Sequence, residues 1–89
     1  MNKYQLRIAT PDGNAYSGEA EMLALRGMEG DLAVLAGHIP FITAVRPGVC
    51  RVINGDDERE GEISGGMLCV GKDQVTLLAD TFHWKESQN

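Results

Sequence analysis

The segment Gly66–Lys72 has the spacing of a phosphate-binding loop, because it matches the first seven positions of the motif G-x-x-x-x-G-K-[ST]. In that motif backbone N–H groups and the lysine bind the phosphates, and a hydroxyl at the eighth position holds Mg²⁺. Here the eighth residue is Asp73, whose negative charge would repel a phosphate. The intervening Met-Leu-Cys-Val is typical of a strand, and a second strand is predicted where the motif needs a helix N-terminus. We therefore expect no phosphate site in this segment.

The acidic stretch Asp56–Gly61 is similar to the beginning of a calcium loop, since Gly61 occupies its sixth position. Such a loop is closed by a bidentate glutamate at its twelfth position, and Met67 stands there instead. We interpret this stretch as a charged, solvent-exposed hairpin. Other carboxylates at two-residue spacing are also predicted to lie on the solvent faces of strands, because no cleft is recognisable around them; they are Glu19, Glu21, Glu58, Glu60 and Glu62.

Nucleophilic catalysis would need Cys50 or Cys69 beside His38 or His83, and spacing along the chain does not establish such a pair. The sequence has no Gly-x-Ser-x-Gly elbow, and its two separated histidines lack metal-ligand spacing. Both cysteines lie in apolar, strand-like runs and are predicted to be buried free thiols, which indicates a reducing, cytosol-like compartment. The sequence therefore predicts no catalytic residue, no metal site and no cofactor.

Composition restricts the possible partners. The chain has 89 residues, enough for one domain, with 43% hydrophobic and 24% charged residues, as in an ordinary soluble domain. Thirteen acidic and eight basic residues give a net charge of −5, and the basic residues are scattered singly, which argues against nucleic acid as a partner. The N-terminus does not have the pattern of a signal peptide. Because no apolar run approaches the roughly 20 residues that span a bilayer, we expect no direct membrane insertion.

Hydrophobic residues follow a period of two, which is typical of half-buried strands. Tyr4, Leu6 and Ile8, for example, alternate with polar residues, and the 11 glycines recur between such segments. Asn54-Gly55 is a strong hairpin signal. About eight to ten short strands, separated by glycine-containing turns, predict an all-β fold, an antiparallel sandwich or barrel. The polar end of the chain, from Thr81 to Asn89, is expected to be frayed.

Two glycine-containing loops remain as candidates for protein binding, namely Gly30-Asp31 and Gly37–Pro40. His38 has two interpretations, one as a residue whose hydrogen bond shapes its loop and the other as a partner contact. Phe41 and Ile42, next along the chain, are predicted to be core residues rather than interface residues.

Seven short segments, in order over residues 3 to 81, carry a specific resemblance. They are Thr10-Pro11-Asp12-Gly13, Tyr16-Ser17-Gly18, Glu29-Gly30-Asp31, Gly37-His38-Ile39-Pro40, Arg46-Pro47-Gly48, Ser64-Gly65-Gly66 and Val75-Thr76-Leu77-Leu78-Ala79-Asp80-Thr81. Together they resemble the N-terminal domain of the epsilon subunit of F-type ATP synthases, whose mitochondrial counterpart is called delta. Each segment alone would be a weak signal, and their common order makes the resemblance specific.

The resemblance implies an antiparallel β-sandwich of about ten short strands over residues 1–81, followed by a polar C-terminal stub at 82–89. It implies a non-catalytic central-stalk subunit that links the gamma subunit to the c-ring and couples ion flow to ATP synthesis. Glu29, Gly30 and Asp31 match the loop that faces the c-ring loops, and Thr10, His38 and Thr43 match positions turned towards gamma. The expected location is peripheral, on the cytoplasmic face of the bacterial plasma membrane.

Some residues depart from the family pattern. Ala36 stands where Pro is common before the Gly-His pair, and Ala33 stands where Gly is frequent. Most bacterial members continue into two helices that bind ATP or act as a brake, so we expect no nucleotide binding and no helical brake from these 89 residues. Two alternatives are open, a naturally short chain, as in some lineages of the family, and a truncated one. The alternative function is a free-standing β-sandwich adaptor with an unrelated protein partner.

Overall fold

The computed structural model describes residues 2–37 and 39–85. Within these residues, all regular secondary structure is β-strand. The predicted all-β class is therefore confirmed. Ten strands follow in chain order, and they are β1 (Tyr4–Thr10), β2 (Gly13–Ala20), β3 (Met22–Gly27), β4 (Gly30–Leu35), β5 (Phe41–Val45), β6 (Gly48–Asn54), β7 (Asp57–Ile63), β8 (Gly66–Val70), β9 (Gln74–Ala79) and β10 (Phe82–Trp84).

The strands form two layers that face each other across one core. One layer has the order β5-β8-β9-β1-β2, and the other has the order β10-β7-β6-β3-β4. A single residue pair between β3 and β5, Gly27 with Val45, joins the layers into a continuous sheet. Neighbouring strands are antiparallel, as predicted, with one exception between β1 and β9. These two strands come from distant parts of the chain, so no short hairpin forces them to be antiparallel.

The core is built by the alternation seen in the sequence. In β1 the side chains of Tyr4, Leu6 and Ile8 are buried, and in β9 those of Val75 and Leu77 are buried. Because successive side chains of a strand point to opposite faces, strands with regular alternation, such as β3 and β9, contribute about half of their residues to this interior. The hydrophobic burial that stabilises the domain therefore comes from the inner faces of both layers.

The hairpin between β6 and β7 confirms the turn signal but shifts it by one residue. Asn54 pairs with Asp57, so the two-residue loop is Gly55-Asp56. Gly55 has φ 65°, and no non-glycine residue among those described has a positive φ. A glycine at the first loop position followed by a residue of negative φ is the pattern of a type II′ turn.

The expectation of a frayed C-terminal end is wrong for Phe82–Trp84. This segment forms β10 against β7. The indole N–H of Trp84 donates a hydrogen bond to the Ala15 carbonyl oxygen at 3.1 Å, and the Arg59 guanidinium lies 3.8 Å from the Trp84 ring centroid. Trp84 thus ties the β10 edge of one layer to β2 of the other. Residues 86–89 of the predicted stub lie outside the described residues.

Candidate partner-binding surface

The segment with phosphate-loop spacing is ordinary sheet. Its residues Gly66–Val70 form β8, which pairs with β5 on one side and β9 on the other. Gly71 then donates its backbone N–H to the Gln74 carbonyl oxygen at 2.8 Å and closes a short turn into β9. The backbone donors of this segment belong to strand ladders and a turn, and no helix follows. The interpretation of this segment as strand is confirmed.

The thiols and the described histidine do not form a catalytic pair. Cys50 is buried in the core, whereas His83 is exposed on β10. Burial raises the pKa of the Cys50 thiol from 9.0 to about 11, an effect only partly offset by a hydrogen bond from the Gly61 backbone. Cys50 is therefore a protonated, poorly nucleophilic thiol at neutral pH. Cys69 is also a free thiol but only half-buried, so the prediction of burial holds for Cys50 alone.

Metal ligands and ion pairs do not mark a catalytic site either. Within the described ranges, no group of three or more histidine, cysteine, aspartate or glutamate side chains could hold a metal ion. The predicted charged hairpin is solvent-exposed, and Arg51 on β6 forms an ion pair with Glu58 on β7 at 3.2 Å. A second ion pair joins Lys85 and Glu60 at 3.6 Å. The outward face of the β6–β7 layer is thus a charged, solvated surface.

The loop expected to face the c-ring forms the tip of the β3–β4 hairpin. Gly27 pairs with Gly30, which leaves Met28 and Glu29 as the two exposed loop residues. Gly30 has φ 128°, a conformation that other residues rarely adopt. Asp31 follows at the start of β4, is also exposed, and lies opposite Arg26. The hairpin therefore presents two carboxylates to the solvent on a short, well-defined turn.

The threonines expected to face gamma both lie in the β5-β8-β9-β1-β2 layer. Thr10 ends β1, where its hydroxyl donates to the Gly13 carbonyl oxygen at 3.1 Å and accepts from the Asp12 N–H at 3.1 Å. Thr10 thus shapes the β1–β2 turn. Thr43 lies in β5 in register with the buried Leu68, and it is half-buried. The third predicted residue, His38, lies outside the described residues.

An apolar surface lies on the outward side of this same layer and was not predicted from the sequence. We call it the outer face, and it consists of the exposed or half-buried Ile42, Ala44, Met67, Cys69 and Leu78, with the buried Ala9 at its end. One row crosses four strands in register, with Ala44 opposite Met67, Met67 opposite Leu78, and Leu78 opposite Ala9. Ile42, in the neighbouring row, lies opposite Cys69.

The outer face carries three large apolar side chains that are exposed to the solvent. Ile42 is 71% exposed, Met67 41% and Leu78 45%. The prediction that Ile42 is a core residue is therefore wrong, and Phe41 beside it is half-buried. A signal was present in the sequence, because Met67–Val70 and Leu77-Leu78 are apolar at consecutive positions, which places apolar side chains on both faces of a strand. Exposed apolar surface of this kind is a candidate for protein interaction.

A comparison with known protein families identifies the family to which this β-sandwich belongs. The family model described as "ATP synthase, Delta/Epsilon chain, beta-sandwich domain" matches residues 3–85. The chain belongs to this family. The match includes β10 and confirms the resemblance found in the sequence.

Curated relatives are ATP synthase epsilon chains of bacteria. The chain is 38% identical over 80 residues to that of Alkalihalophilus pseudofirmus, covering 90% of this chain and 60% of the relative. It is 45% identical over 82 residues to that of Psychrobacter cryohalolentis, covering 91% of this chain and 59% of the relative. The chain thus spans about 60% of the length of these curated relatives.

Solved structures share the fold. A chain of the Euglena gracilis mitochondrial ATP synthase structure (OSCP/F1/c-ring) superposes with a TM-score of 0.85 at 24% identity, covering 92% of this chain and 53% of that one. A chain of the Tetrahymena thermophila mitochondrial ATP synthase structure (central stalk/c-ring) gives a TM-score of 0.77 at 12% identity, covering 91% and 66%. In the part of our chain that the structure describes, no helix has the length and hydropathy needed to cross a bilayer.

Proposed function

We propose that this chain is a non-catalytic central-stalk subunit of an F-type ATP synthase, which links the gamma subunit to the c-ring and helps couple ion translocation to ATP synthesis. The observation that carries the proposal is the exposed apolar outer face on a domain of the delta/epsilon family. In this role the chain is peripheral, on the cytoplasmic face of the bacterial plasma membrane, and is held there by protein partners.

The outer face is the surface that we assign to gamma. Ile42, Met67 and Leu78 would lose their contact with water on docking, and burial of apolar area is the main favourable term in most protein association. The row from Ala44 to Ala9 has no charged side chain, so docking along this row buries no charge. Arg7 lies at the end of the neighbouring row. Thr10 and Thr43 lie next to members of this face along the chain, but Thr43 is in register with the buried Leu68, so its side chain points to the inner side of the layer. The position of both threonines towards gamma stays a prediction.

The β3–β4 hairpin is the surface that we assign to the c-ring loops. A linking subunit needs two separate contact surfaces, and this hairpin belongs to the other layer of the sandwich. Its exposed Glu29 and Asp31 can accept hydrogen bonds from polar ring loops. Because these groups lie at the rim of the domain, we expect them to contribute to orientation and association rate more than to affinity.

Co-elution with the cognate gamma subunit tests the proposed function directly. We expect the two chains, expressed together, to elute from a size-exclusion column as one complex, and the isolated chain to show no ATP hydrolysis. A mixture of gamma with an unrelated β-sandwich domain of similar charge serves as the control. Separate elution of the two chains at concentrations well above micromolar would contradict the proposal.

Reversing the charge at Asp31 tests the assignment of the hairpin. The Asp31→Lys variant should bind a complex of gamma with the detergent-solubilised c-ring about two- to fivefold more weakly, because an exposed charge contributes up to about 1 kcal/mol. Its free energy of unfolding should change by no more than about 0.5 kcal/mol. Asp56→Lys, at the exposed tip of the β6–β7 hairpin, is the matched control and should bind like the wild type. Equal binding by the two variants would rule out the hairpin as the ring contact.

A further inference from the structure

The open edges of the two layers differ in how they are protected. An edge strand presents unpaired backbone N–H and C=O groups, and natural proteins protect such edges with covering groups, charges or short strands. Trp84 donates to the Ala15 carbonyl oxygen on the β2 edge at 3.1 Å. Tyr4 donates to the Val34 carbonyl oxygen on the β4 edge at 2.8 Å. The β10 edge is three residues long.

The fourth edge, that of β5, lacks such protection. β5 pairs with β8 along its whole length, but on its other side it meets β3 only through the pair Gly27 and Val45. Phe41–Ala44 therefore has no strand partner on that side among the described residues. The strand sequence Phe-Ile-Thr-Ala-Val contains no charge and no proline. An uncharged, regular edge of this kind is a template for pairing with another chain.

The backbone groups that face the open side can be assigned from one hydrogen bond. Arg46 donates its N–H towards β3, to the Arg26 carbonyl oxygen at 2.9 Å. Backbone N–H groups alternate sides along a strand, so those of Ala44 and Ile42 point to the same, open side. Those of Thr43 and Val45 point towards β8. The Thr43 hydroxyl donates to the Ala44 carbonyl oxygen at 3.3 Å.

We propose that the partner subunit adds an extended strand to this edge, and that backbone hydrogen bonds at Ile42 and Ala44 fix the register of the docked complex. The inference rests on the proposed function, and the partner is the gamma subunit. The edge is continuous with the outer face, because Ile42 and Ala44 belong to both. The added segment is uncharged, with apolar side chains at alternate positions on the side of the outer face. Main-chain bonds supply affinity in such strand addition, and side-chain pockets supply specificity.

Amide hydrogen exchange, measured by NMR on the ¹⁵N-labelled chain with and without the cognate gamma subunit, tests this inference. In the free chain we expect the Ile42 and Ala44 amides to exchange rapidly, and those of Thr43 and Val45 slowly. In the complex, exchange at Ile42 and Ala44 should slow by at least about tenfold, because these amides become hydrogen-bonded. The rates at Thr43 and Val45 serve as the internal control.

A variant pair separates hydrogen bonding from simple exclusion of water. Ala44→Pro removes the outward N–H at a position where an edge strand tolerates proline, and we expect at least about tenfold weaker binding to gamma. Ala44→Ser keeps the N–H and should bind within about threefold of the wild type. If the proline variant does not fold, the exchange measurement on the wild-type chain still tests whether a strand is added to β5.

The remaining outcomes of these experiments distinguish a failure of strand addition from a failure of the proposed function. A complex that forms while exchange at Ile42 and Ala44 stays unchanged overturns strand addition and leaves the proposed function standing. The absence of any complex overturns both. Slow exchange at these two amides in the free chain, increasing with its concentration, would show pairing with a second copy and would overturn the assignment of the edge to gamma.

Discussion

Replacement of Leu78 by Asp is expected to abolish most binding to the gamma subunit while the chain stays folded. Leu78 lies between Met67 and Ala9 in the central row of the outer face and is 45% exposed. In the complex, a carboxylate there would be buried among apolar side chains without a partner, which is strongly unfavourable. Such burial costs about 2 kcal/mol or more, so we expect the Kd to rise by at least about thirtyfold, measured by titration calorimetry.

The matched control for this variant lies on the other layer. Leu35 on β4 is 55% exposed, and Leu35→Asp introduces the same change in charge and volume away from the outer face. We expect its affinity for gamma to stay within about threefold of the wild type, and both variants to keep the far-ultraviolet circular dichroism of the parent. Loss of binding by Leu35→Asp with retention by Leu78→Asp would move the gamma contact to the other layer.

Local patterns in the sequence predicted the strands but not all of the pairings between them. Alternation such as that of Leu6 and Ile8 with Arg7 determines which side chains share a face, because a strand repeats every two residues. The pairing of β1 with β9 joins distant parts of the chain, and nothing in either strand specifies it locally. Phe82 and Trp84 also alternate, around His83, but three residues are too few to distinguish a strand from a polar tail.

The site was harder to predict for a different physical reason. Alternation places Leu77 and Leu78 on opposite faces but does not tell which face is covered by the protein itself. The structure settles this, since Leu77 is fully buried and Leu78 is exposed. Ile42 was assigned to the core for the same reason, because apolar character alone does not separate core from interface. The loop at Gly30 and Asp31 was a candidate for protein binding from the sequence, but its assignment to the c-ring came only from the family resemblance, since two exposed carboxylates carry no specific signal.

The glycine at the start of β8 is expected to be the most sensitive position for stability. Gly66 lies between Val45 of β5 and Ala79 of β9. A Cβ atom at Gly66 would collide with the Leu78 carbonyl oxygen and come within 3.0 Å of the Ala79 Cα. These are backbone atoms of a strand inside the layer, so they cannot rotate away as a flexible side chain would. Only a displacement of β9 or β8 could make room, and such overpacking is costly.

We therefore expect Gly66→Ala to lower the free energy of unfolding by about 3 kcal/mol or more. For a domain of this size, that corresponds to a fall in Tm of at least about 12 °C, measured by thermal denaturation. Gly18→Ala is the control, because its Cβ would meet only the Tyr16 side chain, at an ordinary 3.6 Å, and its Tm should change by less than about 4 °C. A Gly66→Ala variant that melts like the wild type would contradict the close approach of β8 to β9. Since β9 also carries Leu78, any folded fraction of Gly66→Ala should bind gamma more weakly, which would link the packing at this glycine to the shape of the outer face.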